Sequence, residues 1–306
     1  MVTEHTPGLS IEISPGTDHR GERERTRRLH AHFEQVSAQY RTLRELDLGA
    51  VDVISDVVAR AASPGRPLRL LDVATGSGRY LDAVSHCVAS TSAMDVVPIG
   101  LDLNAAMLTQ ARIRNGRAGL RAQHLVGSVE MLPFHTSSCD AITCFNAVHH
   151  LDLARFIREA CRVLTPSGPL VIYTRTLEQN RRTIWGRYFP EFTARETRLP
   201  RVADLRAALK ATGAFASVRT QTLTWSITTS LSRLIEQVTQ YHYSTFRMYS
   251  DDALHTAIDT FRQHVRQAFA DVTHITYDND HMLVMAQRTA TRGQRVHVPG
   301  PSEEEA

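Results

Sequence analysis

Apolar positions along the chain fall first into a helical rhythm and then into an alternation of strand and helix. Leu29, Phe33, Val36, Tyr40 and Leu43 lie three or four residues apart, so the run from Arg25 predicts one face of an amphipathic helix. A second helical run, GAVDVISDVVARAA, stops at SPGRP, where proline and glycine break it. Beyond that turn, short apolar runs that suit fully buried strands occur at 68–73, 96–101, 121–126, 141–145 and 169–173. Helical patterns such as RYLDAVSHCVA, NAAMLTQARIRN and DLARFIREACRVL lie between most of them. Strand and helix in alternation, with short links, predict an α/β fold whose parallel sheet carries helices on both faces.

After residue 173 the alternation loosens. A loop bearing arginines and aromatics, TRTLEQNRRTIWGRYFPEFTARETRLP, precedes a helix at 202–212, a strand at 218–225, a mostly helical segment at 228–270 and a last strand at 281–287. Residues 1–24 mix Pro, Gly, Thr and charge without a period and are expected to form a mobile tail, as are residues 291–306. One catalytic domain is expected over 25–290, with N-terminal helices at 25–63, a ligand-binding core at 68–176, and cap segments at 177–200 and 226–275.

Composition narrows the partners. A 306-residue chain with 42% hydrophobic and 22% charged residues matches an ordinary globular protein. The net charge of +3 is small, and the basic run HRGERERTRR is offset by SEEEA, so no nucleic-acid partner is expected. Lys210 is the single lysine, which leaves Schiff-base chemistry one candidate. Cys87, Cys139, Cys144 and Cys161 form no CxxC pair, so reduced thiols are expected; no metal is expected at His149 and His150 either, because neighbours on an extended segment diverge, with a distant ligand such as His242 left open. The first residues lack the order of a signal peptide, and no apolar run is long enough to span a bilayer; the expectation is a cytoplasmic protein with no membrane partner.

The chemistry concentrates in DVATGSG, at the first strand–helix turn. Ala74, Gly76 and Gly78 let a ligand approach the backbone, and the helix that follows offers free N–H groups. Asp102, closing the second strand, can accept both hydroxyls of a ribose. A dinucleotide fingerprint needs a small residue three positions after Gly78, where this chain has Leu81, so an NAD-dependent oxidoreductase is disfavoured.

Five stretches, LLDVATGSGRYL, VVPIGLDLNAAML, HLVGSVEMLPF, CDAITCFNAVHHL and ACRVLTPSGPLVIYTRT, together resemble in order and spacing the class I S-adenosylmethionine-dependent methyltransferases, small-molecule branch. The resemblance implies a Rossmann-like, seven-stranded, mostly parallel sheet with a reversed last strand, with S-adenosylmethionine as cofactor. It also implies that Asp72, Ala74, Gly76 and Gly78 line the methionine end, that Asp102 holds the ribose, and that Leu103 and Met107 pack near the adenine. Ser128 and Val129 would meet the adenine edge, and Asn146 would close the site beside the sulfur. Two positions depart from the family pattern: Ala74 replaces a glycine, and Ser128 replaces a common acid, which puts the adenine hydrogen bond in doubt.

His149 and His150, just beyond the fourth strand, are the candidates for a general base, and an extended backbone would let only one of them face the acceptor. Either could instead only shape the pocket. Arg175 could meet an acceptor carboxylate or phosphate, or pair with a surface acid; Tyr241 and Tyr243 belong to an aromatic segment that suits a lid. The leading expectation is an enzyme that methylates an O, N or C atom of a small molecule in secondary metabolism. A non-catalytic S-adenosylmethionine-binding regulator is the alternative, and a homo-oligomer stays open.

Overall fold

The computed structural model describes residues 46–118 and 122–290. The helix predicted from Arg25 and both predicted tails lie outside the described residues. Helix α1 (Leu48–Ala59) is started by Asp47, whose Oδ1 accepts the Ala50 N–H at 3.0 Å. The other oxygen of Asp47 accepts the Tyr173 hydroxyl at 2.7 Å, which ties this helix to the sheet.

Five parallel strands follow, β1 (Leu68–Val73), β2 (Val96–Asp102), β3 (Gln123–Val126), β4 (Ala141–Phe145) and β5 (Pro169–Thr174). They are connected by α2 (Arg79–Ser92), α3 (Ala105–Ala118) and α4 (Leu153–Val163). Short helices α5 (Leu177–Arg182), α6 (Ile184–Tyr188) and α7 (Phe192–Arg195) come next, then α8 (Val202–Ala211) and β6 (Phe215–Thr229). Helices α9 (Leu231–Thr239) and α10 (Asp251–Ala268) precede β7 (Ile275–Arg288). The sheet order is β3-β2-β1-β4-β5-β7-β6, with β7 antiparallel to both neighbours, so the seven-stranded, mostly parallel sheet is the one expected.

Continuous burial explains the order. All residues of β4 and β5 are buried, as strands with helices on both faces must be. Ile54 and Val58 of α1 with Leu81 and Val84 of α2 cover one face; Phe156 and Ile157 of α4 with Leu205 and Leu209 of α8 cover the other. From β1 the chain winds outward to β3 and then returns to β4, so a crevice opens beyond the carboxyl ends of β1 and β4.

A third apolar core belongs to the cap. Trp185 lies 5.2 Å from both Phe246 and Phe261, ring centre to ring centre, and Phe189 lies 5.1 Å from Phe246. The two aromatic-bearing segments therefore pack mostly on each other, which joins them into one unit.

The last two strands are longer than the apolar pattern predicts. Residues 226–229 extend β6, so that 228–229 belong to a strand rather than to the predicted helical segment, and 275–280 begin β7 ahead of its predicted start. Polar residues alternate there with Ile227, Ile275 and Tyr277, and side chains pair across the strands: Thr224 donates to Asp280 at 2.8 Å, Ser226 to Asp278 at 2.7 Å, and Thr228 meets Thr276 at 3.0 Å.

Candidate active site

The loop from β1 to α2 bends through three left-handed residues, Ala74 (φ 51°), Gly76 (φ 56°) and Gly78 (φ 70°). Alanine in this region is strained, since its Cβ crowds its own carbonyl. The loop is pinned by the Thr75 N–H to the Leu101 carbonyl at 3.0 Å and by the Gly78 N–H to the Thr75 carbonyl at 2.9 Å. A Cβ at Gly76 would lie 3.1 Å from the Met107 methyl, and one at Gly78 would lie 3.3 Å from Ala111, Arg114 and His124.

Two predicted acids have different jobs. Asp102 stands at the rim: its Oδ2 accepts the Gly76 N–H at 2.7 Å and its Oδ1 the Asn104 N–H at 2.8 Å. A carboxylate at this rim is of the type that accepts a ligand's hydroxyls through charge-assisted hydrogen bonds. Asp72 lies behind the loop, 1% exposed, with Oδ1 bonded to the Thr143 hydroxyl at 2.9 Å and Oδ2 to that of Thr75 at 2.5 Å. Burial pushes its carboxyl up to about 7 against the pull of those two hydroxyls.

The rest of the predicted cofactor set surrounds this loop. Met107 and Val129 are buried, while Leu103 presents an apolar side chain that is 47% exposed. Ser128 is turned to its own backbone, accepting the Glu130 N–H at 3.2 Å. Asn146 follows β4 in the left-handed region (φ 52°), and its N–H donates to the Tyr173 carbonyl at 2.7 Å. The Ser77 hydroxyl is buried without a hydrogen-bond partner among the described residues, as a donor reserved for a bound group would be. Leu81 is fully buried between α2 and the sheet, and Gly100 on β2 makes room for it: a Cβ there would lie 3.2 Å from the Leu81 side chain. That packing occupies the place where a dinucleotide site brings its helix closest to the sheet.

Beyond β4 the chain enters a 3₁₀ turn, Val148–His150, and the extended backbone expected for the two histidines is replaced by this tight turn. Their rings lie 4.0 Å apart, and both line one pocket, so the expectation that only one could face it is corrected. The turn rotates successive side chains by about a third of a circle rather than half.

That pocket encloses about 60 Å³, a few waters' worth of space, and is also lined by Asn146, Arg175 and Tyr243. Arg175 is buried, its Nη2 donates to Asn279 Oδ1 at 2.6 Å, and its guanidinium carbon lies 5.2 Å from the Tyr243 ring centre. Tyr241 is placed elsewhere, beneath Arg247, whose guanidinium carbon is 4.2 Å from its ring. Among the described residues, no three His, Cys, Asp or Glu side chains gather as a metal site. No described helix is long and apolar enough to cross a membrane.

Residues 71–172 match the family described as "Methyltransferase domain". Over that segment, a third of its length, this chain is similar to a methyltransferase domain. A demethylmenaquinone methyltransferase of Deinococcus radiodurans is 33% identical over 142 residues, 46% of this chain and 57% of that protein. A ubiquinone biosynthesis O-methyltransferase of Chelativorans sp. is 27% identical over 215 residues, 65% of this chain and 82% of that protein. The first match thus spans little more than half of the relative's length. Among solved structures, a protein of Anabaena variabilis described as a methyltransferase from an antibiotic biosynthesis pathway superposes with a TM-score of 0.59 at 17% identity, covering 80% of this chain and 98% of that one.

The methyltransferase domain as matched ends within β5, so it contains the glycine loop, Asp102, Asn146 and both histidines but not Arg175 or the cap. Several pocket residues had no signal in the sequence. Asn180 sits on α5, Glu196 follows α7, Thr245 lies in the 3₁₀ turn Ser244–Met248 of the cap, and His281 comes from β7. His281 is held between Tyr173 and Trp225, with ring centres 4.7 and 5.0 Å away. Only the aromatic residues 173, 225 and 281 taken together, from three strands, would have pointed to this pocket wall.

Proposed function

We propose that this chain transfers a methyl group from S-adenosylmethionine to an oxygen, nitrogen or carbon atom of a small organic acceptor. The observation that carries the reading is the left-handed loop bound to Asp102, which leaves β1 at the same end of the sheet at which the paired strand β4 leads to a pocket lined by Asn146 and two histidines. Ala74, Gly76 and Gly78, with Asp72 behind them, would hold the methionine end; Asp102 would hold the ribose. Leu103, Met107, Ser128 and Val129 would hold the adenine, and Asn146 would border the sulfur. The cofactor supplies an electrophilic methyl on a sulfonium, so the protein's own work is binding, orientation and exclusion of water.

His149 or His150 takes the acceptor's proton where the acceptor atom is a hydroxyl or an amine, since imidazole titrates near neutrality. The apolar wall formed by Phe192, Leu199 and Tyr243 excludes water from the acceptor side. The Deinococcus relative is named for demethylmenaquinone and the Chelativorans relative for ubiquinone biosynthesis, which makes hydroquinols, with and without a carboxylate, the first acceptors to test.

Calorimetry with S-adenosylhomocysteine and with NAD, followed by release of S-adenosylhomocysteine in the presence of a hydroquinol panel, tests the reading. Binding of S-adenosylhomocysteine in the micromolar range with no NAD binding is the expected result, corresponding to about −8 kcal/mol at 1 μM. No affinity for the methylated or demethylated cofactor overturns it.

A further inference from the structure

We propose that the acceptor is an organic anion, whose carboxylate or phosphate group is received by Arg175 and Asn180; the proposal rests on the methyl-transfer reading of the same pocket. A guanidinium taken out of water is normally matched by a carboxylate, because the solvation it loses is large. Arg175 is only 6% exposed, yet no acidic residue among the described ones forms an ion pair with it. Its one hydrogen-bond acceptor is neutral, the Asn279 side-chain carbonyl at 2.6 Å, and its Nε is buried with no partner among the described residues.

The acids of this region are already committed. Asp280, next to Asn279, accepts both Nε and Nη2 of Arg182, at 3.1 and 2.8 Å, and the Thr224 hydroxyl at 2.8 Å. Glu196, on the pocket wall, is paired with Arg198 and accepts the Thr245 hydroxyl at 2.6 Å. Arg175 acts on the Asp280 carboxylate only from a distance, helping to hold it low, and with no acid at ion-pair distance among the described residues its guanidinium is left lining the pocket.

A second donor agrees. Asn180 is 2% exposed and lines the same pocket, and its Nδ2 has no partner among the described residues. A neutral oxygen could accept from either donor but would leave the guanidinium charge unmatched, and a cationic group would be repelled by it. An anion satisfies both, through charge-assisted hydrogen bonds of the kind that arginine and amide donors make with carboxylate and phosphate. Tyr243 beneath the guanidinium keeps it in place while presenting an apolar surface to the ligand's body.

The test is a binding comparison on the full chain, with and without saturating S-adenosylhomocysteine, using benzoate, phenyl phosphate and the uncharged benzamide as probes. At least one anion should bind about tenfold or more tightly than benzamide, and the better of the two identifies carboxylate or phosphate as the natural group. Arg175→Gln should remove most of that preference, and Asn180→Asp, which sets a like charge in the pocket, should weaken the anions while sparing benzamide. Equal binding of all three probes to the wild type overturns the proposal, and so does an unchanged preference in either folded variant. Should Arg175→Gln fail to fold, the wild-type comparison and Asn180→Asp still decide. Binding of S-adenosylhomocysteine without anion preference removes this proposal and leaves methyl transfer standing; anion preference without cofactor binding overturns methyl transfer, and with it the anion's role as acceptor, and leaves only an anion-binding pocket.

Discussion

The backbone N–H of Gly76 donates to Asp102 Oδ2 at 2.7 Å, so the acid at the end of β2 holds the glycine loop at the end of β1. One side chain thus shapes the loop and also presents the acceptor positions proposed for the ribose. Removing it should do more than delete a ligand contact. Asp102→Ala is expected to weaken S-adenosylhomocysteine binding at least tenfold, about 1.4 kcal/mol, while the fold persists because Asp102 lies at the rim. An unchanged dissociation constant by calorimetry would refute the ribose assignment.

Loop strain gives a second pair of expectations with opposite signs. Ala74 and Gly78 share the left-handed region, at φ 51° and 70°. Ala74→Gly removes a conformational penalty of roughly 1–2 kcal/mol and adds an unfolded-state entropy cost of roughly 0.5–1 kcal/mol, so it should stabilise slightly. Gly78→Ala introduces the same penalty and brings a Cβ to within 3.3 Å of Ala111, Arg114 and His124. Urea unfolding of both variants checks this; a gain from Gly78→Ala would contradict the strain argument.

Most of the sheet was legible because its strands are buried on both faces and therefore read as unbroken apolar runs, Leu68–Val73 and Pro169–Thr174 above all. The cofactor side was legible for a related reason: a backbone that bends through Ala74, Gly76 and Gly78 must be made of small residues, and these are adjacent in sequence. The acceptor side was not, because it is assembled across long separations. Arg175 meets Asn279, 104 residues later, and Asn180 lies on, and Glu196 just after, short cap helices with no periodicity to read. The ends of β6 and β7 were hidden by their polar threonine, serine and aspartate pairs, whose strand preference comes from one another.

The two histidines on one pocket wall call for separate variants. If one is the base, His149→Ala or His150→Ala should lower kcat by about 10²–10⁴ while leaving the affinity for S-adenosylhomocysteine unchanged. The other should alter acceptor KM alone, since its ring lies 4.0 Å from its neighbour and shapes the same wall. Equal kcat in both variants and the wild type would exclude a histidine base and favour an acceptor whose proton is already gone.

Asp72 makes stability depend on pH in a direction opposite to most native carboxylates. Its ordinary value is 3.8, and burial lifts it to about 7 in the folded chain, so between those values the folded state holds a proton that the unfolded state has lost. Stability falls with rising pH wherever the native state binds more protons. The favourable contribution of the neutral carboxyl is therefore complete below about pH 4, declines through the interval, and is gone once the pH passes 7. Asp140 and Glu196 behave in the usual way, held low by the arginines beside them against the effect of burial. Their contribution grows as pH rises through the acid range and masks that of Asp72 in the wild type alone. Comparison with Asp72→Asn at each pH cancels them, because Asn keeps one acceptor for Thr75 or Thr143 and can donate to the other hydroxyl without a charge. The variant should gain on the wild type from pH 4 to 7 by up to about 2–4 kcal/mol and then level off. A flat difference across that interval, measured by urea unfolding, would show that Asp72 is ionised at neutral pH and that its two threonine hydroxyls outweigh its burial.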